Sequence, residues 1–515
     1  MQEKGELRMV SRGMLVALAV LISGCGGSVP LVDKVASFAP TDTGHTYLAR
    51  QVEALGDPHD GRSGIHLLSD GPEALAMRLL LTEKAQRSID VQYYILTNDT
   101  SGQLIAGELL KAADRGVHVR ILLDDMYAAP YDPASAALAG HPHIDIRLFN
   151  PFRRDVGRML GGLLDYQRVN RRMHNKSMTF DNQVTIVGGR NLADEYFAAR
   201  EDSNYDDLDV LAVGPVAREV SGSFDDYWNS PYAVPAEAAI IAGGDGLSLE
   251  DARTRLMGLY EDARHTAYGA ALTHDIRRIF SRGRLGLNWV PARVVADPPE
   301  KVAGFTDDIL AEQMRPIVAG AQRELVIATA YFVPGTRGVA LLSDLSRRGV
   351  HVVVLTNSLE SNDVEPVHGH YARYRKALLE AGVELWELRP DRPRADRSLL
   401  ALGQSLSGLH AKAFVVDRRQ LFVGSFNWDP RSVDINTEMG VMIDSQSLAG
   451  QVARRFQADL SRVAYRLRLD EAGDIEWLAR RDDGSWIAYR SEPSDSTWHT
   501  FRTRVYGVLP IGGLL

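Results

Sequence analysis

Apolar positions follow two periods along this chain, and the same succession of periods occurs twice. PEALAMRLLLTEKAQ, from Pro72, places its apolar residues at helical spacing and leads into the β-rich run SIDVQYYIL from Ser88. A second helical pattern, GQLIAGELLKAADRG, ends at Gly116, where a glycine suits a left-handed cap, and the strand-like VHVRILL follows at once. Further on, DDILAEQMRPIVAGAQ, ELVIATAYFV, GVALLSDLSRRG and VHVVVL repeat the order. Helices and strands joined by short connections predict parallel pairing through right-handed crossovers. The class expected is α/β: in each half, a mixed, largely parallel apolar sheet flanked by helices.

The repeat has the length of a domain. AQR begins at Ala85 and again at Ala321, 236 residues apart, and the glycines Gly116 and Gly349 are 233 apart. A period this long indicates two duplicated halves rather than a solenoid. The expected layout is a leader over 1–25, a tether over 26–59, a first domain over 60–235, a connector over 236–300, a second domain over 301–468 and a tail over 469–515. The connector contains GGDG, a predicted helix from Leu249 to Arg264 capped by Ser248, and Pro298-Pro299. The tail predicts a hairpin about Asp483-Gly484. It ends in WHTFRTRVYGVLPIGGLL, which reads either as an amphipathic element docking on lipid headgroups or as a segment packed on its own domain.

Composition adds three constraints. At 515 residues, 45% hydrophobic and 24% charged, the chain is globular and too long for one core. A net charge of −9 offers no general attraction to nucleic acid, and none is expected as a partner. The single cysteine, Cys25, follows Lys4, Arg8, Arg12 and the apolar run MLVALAVLIS. That pattern predicts a signal peptide. LISGC resembles the lipobox of bacterial lipoproteins, which implies lipidation of Cys25 and a chain anchored to a membrane, facing the periplasm or the cell exterior.

The chemistry lies in a pair of segments. RRMHNKSMTFDNQVTIVGGRN holds His174, Lys176, Asp181, Gly188 and Asn191; LHAKAFVVDRRQLFVGSFN holds His410, Lys412, Asp417, Gly424 and Asn427 at identical spacing. Alternate residues of a strand share a face, so each histidine is expected beside its lysine. Ammonium and amide donors suit the oxygens of a phosphoryl group. One neutral imidazole can attack phosphorus while another protonates the departing alcohol. The lysines already supply positive charge, the histidines lack Cys or carboxylate at ligand spacing, and no metal or other cofactor is expected.

Written H-x-K-x4-D-x6-G-(G/S)-x-N and present twice, the pattern resembles the signature of the phospholipase D superfamily. DVQYYI, RGVHVRILLDD, NRRMHNKS, DLDVLAVGP, GSFNWDPRS and NTEMG make the chain most similar to bacterial cardiolipin synthases, the type C branch among them. The resemblance covers most of the chain from about residue 60. It implies two pseudo-symmetric domains with one active site between them, and a phosphatidyl-histidine intermediate. The implied substrates are phosphatidylglycerol as acceptor and phosphatidylethanolamine as donor. His174 becomes the nucleophile and His410 the general acid by analogy. Glu438 and Asp207 are implied to orient the imidazoles, and Asp181 and Asp417 to serve structure. Arg171, Arg172, His370 and Arg373 are candidates for lipid phosphates or for a solvated basic face. Hydrolysis of phospholipids to phosphatidic acid uses the same groups, as does an endonuclease, and the acidic net charge and anchor argue against the latter.

Overall fold

In a computed structural model the chain is described over residues 32–56, 60–155, 157–200, 204–240, 247–272, 286–305, 309–390, 408–481, 483–494, 496–509 and 512–514. The leader and Cys25 lie outside these residues. Two mixed sheets dominate, one of nine strands and one of ten. At the centre of the first, Ser88–Tyr93, His118–Asp124 and Ile144–Phe149 run parallel; Glu324–Thr329, His351–Asn357 and Glu384–Leu388 do the same in the second. The helices Thr100–Asp114 and Gly335–Arg347 supply the crossovers, each followed by a glycine with positive φ, Gly116 and Gly349.

The parallel share is smaller than the helix–strand alternation suggested. Within these two sheets the remaining pairings are antiparallel, and each HxK segment feeds a hairpin rather than a crossover. Its turn is Asp181-Asn182 or Asp417-Arg418, all four residues at φ near +53° (52° at Asp181), as a two-residue turn of a twisted hairpin requires. The α/β class and the paired halves are as the pattern indicated.

The inner faces of the two sheets share one core, in which Val187, Val210 and Ala212 of the first half meet Ala328, Val353, Val423 and Val441 of the second. The helices Pro215–Asn229 and Gln446–Val463 contribute Val216, Val220, Leu448 and Phe456 to it. Separate cores lie on the outer faces. Burying apolar surface of both sheets in one core ties the halves together, at about 25 cal/mol per Å² removed from water.

Between the halves the helix Leu249–His265 forms as predicted, with Ser248 Oγ accepting the Asp251 N–H at 3.1 Å. Asn288–Val290 then adds to the edge of the first sheet and Ala292–Ala296 to the edge of the second. In the tail, Ile475–Arg480 and Trp486–Tyr489 form the hairpin about Gly484. The helix Thr497–Val508 packs on Glu365–Ala372 so closely that a Cβ on Gly369 would meet the Thr503 carbonyl oxygen at 2.4 Å. The end of the chain is therefore packed on its own half. It still leaves Trp498, Phe501 and Val508 exposed. No described helix is long and apolar enough to cross a membrane.

Candidate active site

Both histidines lie where the chain peels away from its own sheet to pair with the other half. Ahead of the strand Ser177–Phe180, Met173 bridges Thr437, and the His174 N–H donates to the Thr437 carbonyl at 2.9 Å. Ahead of Lys412–Val416, Gly408–Leu409 runs parallel to Tyr205–Asp206, and the N–H groups of His410 and Ala411 donate to the Asp206 carbonyl at 2.8 and 2.9 Å. Thr437 and Asp206 are each followed by an acid, so this pairing carries that acid to the opposing histidine. The sequence placed the histidines inside strands; they stand at the entry to them, and the backbone there is shared between halves.

The result is a crossed arrangement. Nδ1 of His174 lies 2.9 and 3.0 Å from the two oxygens of Glu438, which belongs to the second half. Nδ1 of His410 lies 2.6 Å from Oδ2 of Asp207, which belongs to the first. A carboxylate on Nδ1 holds the ring proton there and leaves the Nε2 lone pair available. Lys176 Nζ donates to the carbonyl of His174 at 2.7 Å, and Lys412 Nζ to that of His410. Lys412 Nζ also stands 2.9 Å from Nδ1 of His410, which works against a proton on that atom; the nearer carboxylate outweighs it.

Charges from both halves act on one another, as they must in a single site. Burial, then Lys176, Lys412 and His410, push the His174 pKa well below its ordinary value. Burial and Lys412 bring His410 down to about 4, against the opposing pull of Asp207. Burial alone would raise Asp207, but His410 and Lys412 hold it down at about 2. Burial lifts Glu438 to about 7 in spite of Lys176 and Ser425. Burial also lowers Lys176 to about 7 and Lys412 to about 8. Burial weakens the hold of both lysines on their protons, and an anion placed beside them would strengthen it.

The motif residues divide cleanly. Asn191 is buried; its Nδ2 donates to Tyr196 Oη at 2.9 Å and its Oδ1 has no hydrogen-bond partner among the described residues. The Asn427 N–H donates to Ser432 Oγ at 3.2 Å, and its Oδ1 accepts from Thr329 at 3.4 Å. Asp181 accepts the N–H groups of Gln86, Arg87 and Ser88, and Asp417 those of Gln322, Arg323 and Glu324. These aspartates fasten each hairpin turn to the start of the neighbouring strand, away from the imidazoles.

Four candidates bond to segments outside the histidine motifs. Arg172 is 0% exposed, ion-paired with Asp124 and bonded to the Asn150 carbonyl, because the segment before His174 is buried between the halves. Arg171 donates to the carbonyls of Lys301 and Asp434. Arg373 donates to the Gly507 carbonyl, and His370 is buried close to Gly512, so both serve the docking of the tail. Arg172 and His370 are buried, whereas Arg171 is half-buried and Arg373 exposed, each held by a backbone carbonyl of another segment.

Other contributors had weaker signals or none. Ser425 and Ser432 each donate to Glu438, the latter at 2.9 Å, and Asp297 accepts the Glu438 N–H at 2.8 Å. Tyr94 meets the His174 ring edge-on at 5.2 Å, and Tyr196 meets His410 at 4.9 Å. Ser425 could have been noticed at the G/S position of the motif. Asp297 and Ser432 are distant in sequence and follow no spacing rule.

The family described as "Cardiolipin synthase, PLD-like domain" matches this chain twice, over residues 80–228 and 314–460. Cardiolipin synthase C of Escherichia coli K12 is 40% identical over 477 residues, 91% of this chain and 99% of that one. Cardiolipin synthase A of Yersinia pseudotuberculosis is 24% identical over 397 residues, 76% of this chain and 68% of that one. Among solved structures, phosphatidylserine synthase of Haemophilus influenzae superposes with a TM-score of 0.54 at 15% identity, covering 82% of this chain and 92% of that one. That likeness concerns the fold alone. Two family matches, one on each half of a crossed two-histidine site, lead to one identification: the chain belongs to the cardiolipin synthase, PLD-like domain family and is a phospholipase D-type phosphatidyltransferase.

Proposed function

We propose that this protein makes cardiolipin by moving a phosphatidyl group from phosphatidylethanolamine to phosphatidylglycerol at a membrane surface. The observation that carries the reading is the crossed pairing of His174 with Glu438 and His410 with Asp207. His174, whose pKa lies well below the ordinary value, is neutral and serves as nucleophile. His410 stands at about 4 in the protein alone, so it takes up its proton together with the phosphate anion, and the ionised Asp207 beside it makes it the better seat for that proton. Nε2 of His174 forms a bond to phosphorus, the bond from phosphorus to the head-group oxygen breaks, and His410 protonates that oxygen. In the second step His410 takes the proton from a phosphatidylglycerol hydroxyl, whose oxygen bonds to phosphorus as the phosphorus–nitrogen bond breaks. Lys176 and Lys412 neutralise the equatorial oxygens. A half-turn of the Asn191 amide would let Tyr196 donate to Oδ1 and free Nδ2 for the phosphate.

Two features support work on lipid in place. The helix Arg158–Leu164 exposes Met159 to 91% and Leu163 to 67%. It is anchored by Arg158 and Arg154 to the buried Asp125, next to the Asp124 that accepts the Met173 N–H beside His174. Such a helix suits the interface of a bilayer. Lipidation of Cys25 would add a tether. Hydrolysis to phosphatidic acid is the competing outcome, decided by how well the second lipid excludes water.

The test is incubation with labelled phosphatidylglycerol, with and without phosphatidylethanolamine. Cardiolipin that increases with phosphatidylethanolamine is expected; phosphatidic acid as the only product would replace the synthase with the hydrolase. His174→Ala and His410→Ala are each expected to remove activity by about 10³-fold or more. Near-normal turnover in either would refute the two-histidine mechanism.

A further inference from the structure

Asp363 has no part in the chemistry so far. It is exposed on the segment after the strand His351–Asn357. Its carboxylate accepts the Tyr331 O–H at 2.9 and 3.1 Å and the Tyr205 O–H at 3.1 Å. The Tyr205 ring in turn lies 5.3 Å from the His410 ring, and Tyr196 packs against both. Asp363 is thus one tyrosine's length from the histidine that meets the departing alcohol. Among the described residues no Lys, Arg or His forms an ion pair with it.

A carboxylate here works against the rest of the pocket if the ligand is only an anion. Its field helps to keep Lys412 charged, yet it repels the phosphate that Lys412 is there to hold. The conflict disappears if the ligand brings its own positive charge. A carboxylate braced by two phenol groups and left exposed is complementary to an ammonium. The lysines and histidines engage the phosphate that every phospholipid carries and cannot tell one head group from another.

We propose that Asp363, with Tyr205 and Tyr331, forms a subsite for the cationic amine of the leaving head group. The inference rests on the reading above, in which His410 protonates the departing alcohol of an ethanolamine phospholipid. It adds the residue that selects that donor. The two tyrosines hold the carboxylate in position, so they orient it and form the wall of the subsite.

The experiment uses the full chain with mixed vesicles of phosphatidylglycerol and phosphatidylethanolamine, each head group carrying a different label. For the wild type and Asp363→Asn, the ratio of ethanolamine to glycerol released is measured, with thermal midpoints to verify folding. The ratio is expected to fall about tenfold in Asp363→Asn, the scale of a charge-assisted contact. Asp363→Glu is expected to recover part of it. In the wild type, N-acetylated phosphatidylethanolamine, which lacks the positive charge, is expected to be a poor donor. A ratio unchanged within about twofold in Asp363→Asn, with the protein folded, overturns the subsite. Ethanolamine released without cardiolipin leaves the subsite standing and overturns the synthase reading. No ethanolamine release by the wild type overturns both the donor assignment and the subsite.

Discussion

The two halves present the same groups at the site and support them by different means. In the first half the acid is the short Asp207, and Gly189 makes room for it: a Cβ there would stand 2.2 Å from Oδ1. In the second the acid is the longer Glu438, and the matching position is Ser425, whose hydroxyl donates to it. Beneath Asp207 lies Asp209, clamped between the buried Arg78 and Arg190 at 2.8 and 3.3 Å. Beneath Glu438 the corresponding position is Gly440, filled by the Phe422 ring, which stacks on Phe414 at 4.9 Å. A charged cluster and an aromatic stack do the same structural work. The chemistry therefore fixes only the few groups that meet the phosphorus, and because each acid serves the opposite histidine, neither half can orient its own imidazole.

The largest expected asymmetry is in the acids. Asp207 is held ionised at about 2, so Asp207→Asn removes a charge that stabilises His410 when it carries a proton. Removing the acid behind a catalytic imidazole lowers turnover by about 10³–10⁴. Glu438 sits at about 7 and is already partly protonated at neutral pH, so Glu438→Gln changes less. A loss of about tenfold is expected there, the scale of one hydrogen bond to the imidazole at about 1–1.5 kcal/mol. Equal losses in kcat for the two variants would show that the halves are electrostatically alike.

Next come the supports. Arg78→Met leaves Asp209 buried with one cation fewer, and breaking a buried pair from one side costs about 3–5 kcal/mol. Phe422→Leu trims an apolar stack and is expected to cost about 1–3 kcal/mol. Denaturant unfolding of the two variants tests the order. If Phe422→Leu proved the more damaging, the charged cluster would not be what holds the first half.

Most of the scaffold was legible in the sequence because hydrophobic period and glycine punctuation are local. Strand Ser88–Tyr93, helix Leu249–His265 and the hairpin at Gly484 all follow from neighbours in the chain. The His and Lys spacing was equally plain, and Asp207 and Glu438 could be named from the family pattern. What could not be read was the crossing, since pairing His174 with Thr437 and His410 with Asp206 depends on how the halves meet. The surroundings of Arg171, Arg172, His370 and Arg373 were hidden for the same reason. Arg172 reads as part of a basic surface until the second half covers it, and the bond from the exposed Arg373 to the tail joins segments far apart in the chain. The sequence signal for Asp297, which holds the backbone of Glu438, was nil.

Smaller effects test the fit between acid and backbone. Gly189→Ala forces a methyl group into Asp207, an overpacking of about 1–3 kcal/mol that also displaces the carboxylate from His410. Ser425→Ala removes a donor from Glu438, which keeps Ser432, and the acceptor of the Met439 N–H, at about 0.5–1.5 kcal/mol for each bond. The comparison is sharpened by the double swap, Gly189→Ser with Asp207→Glu, which gives the first half the acid and serine of the second. Partial recovery of kcat over Gly189→Ser alone is expected. No recovery would mean that the length match between acid and residue 189 is coincidental.

The two lysines provide the mildest test, because their pKa values differ by so little. Burial leaves Lys176 at about 7 and Lys412 at about 8 in the protein alone. A lysine is charged below its pKa, so an anion loses first the cation of the first half and then that of the second as pH rises. Linkage gives the sign for the protein alone. Lys176 titrates lower folded than unfolded, so between about 7 and its ordinary value the unfolded chain binds more protons, and this group adds stability as pH rises. Binding of tungstate, a phosphate mimic, runs the other way. Its affinity is expected to fall severalfold between pH 6.5 and 8.5, and the rise in thermal midpoint that it confers should shrink over the same interval. In Lys176→Met the surviving dependence should centre nearer 8. A profile unmoved by that change would mean that the first-half lysine does not face the anion, and that the symmetry of the two halves ends at their histidines.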